Sequence, residues 1–197
     1  REVPFDRDGD FTLEAFVDRY NADLANDFGN LASRVLKMLK QYTEGLVPAP
    51  PASVDGIHAE LSAIANSLPD AVAERMDALD FSGALEAIWR LVGRANKYVE
   101  ETRPWDLRKD PGSADELATV LYNLVETLRI LTYLVSPFVP DAADRLAQQL
   151  RVPRPNAVGK DGYTLAEVIR WGGLSDGHQT EVGEVLFPRL DRVVPES

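Results

Sequence analysis

The sequence predicts an all-α protein: an antiparallel bundle of about five helices followed by an irregular C-terminal extension. Three observations predict it. Apolar residues recur at steps of three and four through nearly every long segment. Pro and Gly clusters separate those segments. Finally, the chain carries no alternating apolar strand, no glycine-rich phosphate loop and no internal repeat. The expected division is a bundle over residues 1–152 and an extension over 153–197 that packs back on it.

Residues 1–10, with Asp8-Gly9-Asp10, read as a turn feeding the first helix. Thr12 is placed to cap that helix and Glu14 to favour its dipole. The periodic face from Phe16 to Tyr42 then predicts one helix of roughly 30 residues, long for a globular domain. Its stripe is Tyr20, Leu24, Phe28, Leu31, Val35, Met38 and Tyr42. Gly29 inside it costs about 1 kcal/mol relative to Ala, so a close approach by a neighbouring helix or a nucleotide is expected there. Gly45 ends the helix, and Pro48, Pro50 and Pro51 prevent its continuation.

Ser53 is the expected cap of a second helix through Ile57, Leu61, Ile64, Ala65 and Leu68. Pro69 should break or kink it before Val72, Met76 and Leu79 resume the stripe. Asp80 caps a third helix with Leu85, Ile88, Val92, Ala95 and Val99 inward, which fades near Thr102 because Pro104 moves Arg103 off helical angles. Residues 103–112 read as an irregular connection bearing a Trp. Ser113-Ala-Asp-Glu116 has the form of a capping box for a strongly apolar fourth helix. Pro137 and Pro140 separate that helix from a fifth, Asp141 to Leu150. Beyond Pro155 a short helix over Thr164 to Ile169 and an extended, back-packed Val185 to Leu190 are expected.

With 45% hydrophobic and 27% charged residues among 197, a well-developed core is affordable in length and composition. There is no Cys, which excludes disulfides and thiolate metal sites and fits a reducing, cytoplasmic setting. No apolar run approaches the roughly 18 residues of a membrane span, no signal peptide is visible, and neither membrane nor DNA is an expected partner. A start at Arg1 rather than Met is expected of a piece of a longer or processed protein. The net charge of −11 opposes unspecific phosphate binding. Two local basic rows stand against it, Arg34, Lys37 and Lys40, and Arg90, Arg94 and Lys97, although each reads first as a solvated face.

Catalytic groupings are missing. His58 and His178 lie far apart, no Glu-x-x-His spacing occurs, and the acidic residues fall on outward helical faces. No cofactor or metal is expected in this stretch, and it is expected to be inactive alone. Recognition is better founded. Unpaired RNA bases are read by stacking on aromatic rings and by hydrogen bonds to their Watson–Crick edges. Trp105 after Pro104 offers a ring, whose alternative role is a hydrophobic plug over a helix end. Asn30 offers a donor and an acceptor, and Arg34, four residues on, a planar fork of donors. The competing roles are a cap-like or interhelical bond for Asn30 and a surface ion pair with Asp27 for Arg34. Trp89 lies in an apolar stripe and Trp171 in a tail with little flanking charge.

Three stretches carry a resemblance: Asn21-Ala-Asp-Leu-Ala-Asn-Asp-Phe-Gly-Asn-Leu-Ala-Ser-Arg34, Ala95-Asn-Lys-Tyr-Val-Glu-Glu-Thr-Arg-Pro-Trp105 and Leu186-Phe-Pro-Arg-Leu-Asp191. Arg1-Glu-Val-Pro-Phe5 with Gly9-Asp10 adds to them. In this order they resemble the anticodon-binding domain of methionyl-tRNA synthetase, over essentially the whole chain. The resemblance implies a helical bundle that reads the CAU anticodon of methionine tRNAs. Carried over by motif, Asn30 and Arg34 would hydrogen-bond the first anticodon base, a cytosine. Trp105 would stack on it, with Pro104 shaping the loop. Lys37, Arg103 and Lys109 are candidate phosphate contacts by charge and nearness in sequence. It also implies a parent enzyme whose catalytic domain, absent from this stretch, joins methionine to tRNA using ATP and magnesium. That domain and the methionine tRNA are the implied partners. The competing readings are a helical protein-interaction module without an RNA role, or the anticodon domain of another class I synthetase.

Overall fold

The computed structural model describes residues 12–160 and 164–191. The expected turn at Asp8-Gly9-Asp10 and the motif Arg1 to Phe5 lie outside the described residues. Among the described residues all regular structure is helical, apart from isolated bridge residues, of which Leu46 and Gln179 pair with each other.

The first helix runs without interruption over three segments: α1 (Leu13–Arg19), a π-helix π1 (Tyr20–Gly29) and α2 (Asn30–Thr43). Thr12 caps it as expected, its hydroxyl accepting from the Ala15 N–H at 3.1 Å. The π segment was not expected. Phe16, Tyr20, Leu24 and Phe28 follow one another at unbroken steps of four. On a 3.6-residue turn each such step drifts about 40° off the face. On the wider i→i+5 turn the drift shrinks, and Phe28 ends fully buried.

Helix α3 (Gly56–Asp77) corrects two expectations. It begins at Gly56 after Asp55, so Ser53 is no cap, and it passes through Pro69 without a break. Pro69 removes one backbone donor, while Leu61, Ala65, Leu68 and Val72 keep that helix face buried on both sides of it. Helix α4 (Phe81–Thr102) starts on Asp80, whose carboxylate accepts from the Gly83 N–H at 2.9 Å. The connection after it is not irregular. It holds a short helix, α5 (Pro104–Leu107), and a 3₁₀ turn at Pro111–Ser113. The expected capping box at Ser113 is absent, because the Ser113 hydroxyl donates instead to Asp110.

Helix α6 (Ala114–Val135) is the axis of the molecule. It is flanked by α2, α3, α4, α5, α7 (Pro140–Leu150) and α8 (Leu165–Val168), and every residue from Val120 to Val135 is buried. By length and composition it is apolar enough to cross a membrane, but it spends that character on the core. One ion pair lies deep inside: Arg129 with Glu126, at 4% and 0% exposure. The Arg129 guanidinium also donates to the carbonyls of Val168 and Arg170, and the Gly173 N–H donates to Glu126 at 2.7 Å. This pair pins the start of the tail to the core. Farther on, Leu186 and Phe187 are buried against the bundle, whereas Val185 and Leu190, expected to pack back with them, are exposed. Thr180 bonds back to Gly45 at the end of α2.

Candidate nucleic-acid interface

The site forms where α2, the end of α4 and α5 meet. Asn30 is the first residue of α2 and Arg34 follows one turn later, about 6 Å along the axis. Asn30 is exposed, and its amide has no hydrogen-bond partner among the described residues. Arg34 reaches across to α4, where its guanidinium lies 2.7 Å from a Glu100 carboxylate oxygen. Asp27, the partner expected from the sequence, is two turns away along the helix, whereas Glu100 lies on the adjacent helix. The Arg34 guanidinium carbon also sits 5.9 Å from the centroid of the Trp105 ring, within cation–π range.

Chain geometry fixes that ring. Helix α4 ends at Arg103, which takes left-handed angles (φ 46°). Pro104 then occupies the first position of α5, where its missing N–H costs no bond. Pro104 is buried and Trp105 half-buried, one part of the indole packing on the core while the rest remains accessible. The ring therefore seals the helix end while leaving part of the indole open to solvent. The Arg103 guanidinium lies 5.9 Å from the same centroid.

Arg103 and Lys109 share one carboxylate. Arg103 Nε donates to Asp106 at 2.7 Å, and Lys109 Nζ to its other oxygen at 2.9 Å. These bonds, Lys109 first and Arg103 after it, hold the Asp106 carboxyl below the usual range. Lys37 is exposed on α2 with no ion pair among the described residues.

The structure thus brings Arg34, Trp105, Pro104 and Arg103 together, with Asn30 one turn away and Lys37 and Lys109 on the margins. Two acidic neighbours, Glu100 and Asp106, escaped sequence reasoning. Both lie in or just beyond the stretch Ala95 to Trp105, so the signal was their nearness to the ring. The second basic row is a salt-bridged face at two of its three positions. Arg94 pairs with Glu60 at 2.7 Å and Glu101 at 3.0 Å, and Lys97 with Glu101 at 3.4 Å. Trp89 packs edge-on against Phe28, and Trp171 is partly buried against the core. Among the described residues no group of His, Asp or Glu is gathered to hold a metal ion.

The sequence model of the anticodon binding domain of methionyl tRNA ligase matches residues 47–193. The chain belongs to that family. A second model, of class I tRNA synthetases of the methionine type, matches residues 1–36. The methionine–tRNA ligase of Caldanaerobacter subterraneus subsp. tengcongensis is 46% identical over 191 residues, covering 97% of this chain and 29% of that protein. The Bacillus subtilis methionine–tRNA ligase is 39% identical, covering 97% of this chain and 28% of that protein. The chain therefore spans under a third of the length of these relatives. The apo structure of Mycobacterium tuberculosis methionyl-tRNA synthetase superposes with a TM-score of 0.85 at 37% identity, covering 97% of this chain and 37% of that one. The same enzyme with methionyl-adenylate gives 0.84 at 38% identity, covering 96% and 36%. As an anticodon-binding domain, this chain carries its candidate base contacts at the junction of α2 and α5.

Proposed function

We propose that this anticodon-binding domain reads the CAU anticodon of methionine tRNAs, with Asn30, Arg34 and Trp105 holding its first base. The observation that carries the reading is the convergence of Arg34 and Trp105 beside an exposed Asn30. The Watson–Crick edge of cytosine presents an amino donor, a ring-nitrogen acceptor and a carbonyl acceptor. The Arg34 fork suits the two acceptors and the Asn30 amide oxygen suits the amino group. Uracil reverses two of those three positions, setting an N–H against the guanidinium and a carbonyl where the amino group would be.

Energies favour the exchange. Opening the ring to a base requires a guanidinium to give way. The Arg34–Glu100 pair is exposed, at 31% and 61% for the two side chains, so it contributes about 0–1 kcal/mol. A base–aromatic stack returns about 1–3 kcal/mol. Pro104 fixes the ring's approach, and the reading assigns the loop's phosphates to Lys37, Arg103 and Lys109.

In the whole enzyme a catalytic body joins methionine to the tRNA using ATP and magnesium, which belong to that body and not to residues of this chain. A tRNA partner sets this work in the cytoplasm. The test is a Trp fluorescence titration of the chain with anticodon stem-loops at low salt. The CAU loop binds more tightly than the UAU loop, and Trp105→Ala loses about 1–3 kcal/mol of that affinity. Equal affinity for the two loops overturns the reading.

A further inference from the structure

We infer that Asn21, nine residues before Asn30 and no part of the base-contacting surface, is a positioning residue that sets the direction in which Asn30 and Arg34 point. The inference rests on the RNA reading proposed above.

The reasoning begins with π1. An i→i+5 turn holds more residues than an α turn, and each residue taken up beyond the α path rotates everything after it by about 100°. Asn30 and Arg34 follow immediately after the ten residues of π1. The choice between π and α over Tyr20–Gly29 therefore decides which side of the helix carries them. π-helix is rare beyond a single turn, so something outside the helix must favour it here.

The C-terminal segment 184–190, a strap laid over the helix, is that something, and it grips π1 at both ends. At the start, the Asn21 side chain is buried and makes a two-point clamp. Its Nδ2 donates to the Leu190 carbonyl, and the Leu190 N–H donates to its Oδ1, both at 2.9 Å. This is the pairing one strand residue offers another, supplied by an amide side chain. Phe187 packs on Phe28 at the far end and reaches back to Tyr20 at the start, with ring centroids 6.1 Å apart in each pair. It also covers Gly29, where an added Cβ would stand 3.3 Å from the Phe187 ring and 2.8 Å from the Leu24 carbonyl. The strap is itself tied to α7: Arg145 donates to the Leu186 carbonyl at 2.7 Å and Gln149 to that of Glu184 at 3.0 Å. With Asn21 held on Leu190, an α register over the residues that follow would carry Phe28 away from Phe187. The strap and the π register select each other, and the orientation of the base-reading face follows.

The test compares the wild-type chain with Asn21→Ala and, independently, Phe187→Leu, which keeps an apolar side chain on the strap. Helix content and cooperative melting are checked first by circular dichroism. CAU and UAU stem-loops are then titrated at one salt concentration. In the variants the CAU loop weakens while the UAU loop does not, so the preference for CAU falls by at least about fivefold, the lower range of one good base-edge contact. If Asn21→Ala does not fold, Phe187→Leu decides. A folded variant that keeps the wild-type preference, or that loses affinity for both loops by one common factor, overturns the inference and leaves the RNA reading standing. A wild-type chain without any preference overturns the RNA reading, and the inference with it.

Discussion

Glu100→Gln should tighten anticodon binding, because in the free domain Glu100 holds the Arg34 guanidinium that the proposed cytosine contact would use. The carboxylate lies 2.7 Å from Arg34 Nη2, with the two side chains 61% and 31% exposed. At that exposure water and salt screen the pair to about 0–1 kcal/mol. Freeing Arg34 therefore improves affinity for the CAU loop by up to about fivefold, since about 1.4 kcal/mol corresponds to tenfold. Removing one negative charge also helps any RNA approach, so the coupling has to be isolated. A double-mutant cycle with Arg34→Ala does this, run near 0.15 M salt where the screening length is about 8 Å. The tightening from Glu100→Gln vanishes in the Arg34→Ala background. An equal gain in both backgrounds would show that Glu100 acts only through its charge, and the competition described here would be refuted.

Three further outcomes follow from the core. Arg129→Met leaves the Glu126 carboxylate buried with only the Gly173 N–H among its present partners, and should cost about 3–5 kcal/mol in urea denaturation. The double change with Glu126→Gln should recover much of that loss. Burial, with the nearby Glu126 carboxylate adding to it, pushes the Tyr122 hydroxyl up to about 12, and burial pushes Tyr98 higher still. Unfolded tyrosine ionises near pH 10, so stability from these groups is intact below pH 10 and is lost as pH climbs toward 12. The slope is about 1.4 kcal/mol per pH unit for each tyrosine, and Tyr122→Phe should flatten it in pH-dependent melts. Pro69→Ala restores a backbone donor inside α3 and should raise stability by about 1–3 kcal/mol. An unchanged melting temperature would mean that the proline's restriction of the unfolded chain offsets the missing bond.

Much of this architecture was legible because the signals were local and chemical. Thr12 and Asp80 cap their helices by bonds within three residues, and apolar stripes at three and four named the buried faces of α2, α4 and α6. The expected back-packed stretch Val185 to Leu190 contains the two residues that are buried, Leu186 and Phe187, but its apolar ends, Val185 and Leu190, stay exposed. What stayed hidden depended on partners distant in sequence. Pro69 suggested a break, but a helix face buried along its length outweighs one lost hydrogen bond. Ser113 had the composition of a capping box, yet Asp110 offered its hydroxyl a nearer acceptor. The π register left a trace in the unbroken steps of four from Phe16 to Phe28, a trace that an α template also accepts. At the interface Asn30, Arg34 and Trp105 were readable as residue types suited to a base. The acidic partners were not, since the pairing of Arg34 with Glu100 spans 66 positions and exists only once α2 lies beside α4.

Asp106 stands between Arg103 and Lys109, so one cation at the indole and one at its margin arrive already matched to a carboxylate. RNA affinity that rises through displaced counterions falls by a power of about 0.7 per phosphate neutralised on a single strand. Cations with an internal anion have little of that exchange to offer, and the chain around them carries a net charge of −11. Such a surface gains little from electrostatic capture of an arbitrary RNA. It would discriminate at the level of one ring and one base edge, with an affinity that ionic strength barely moves.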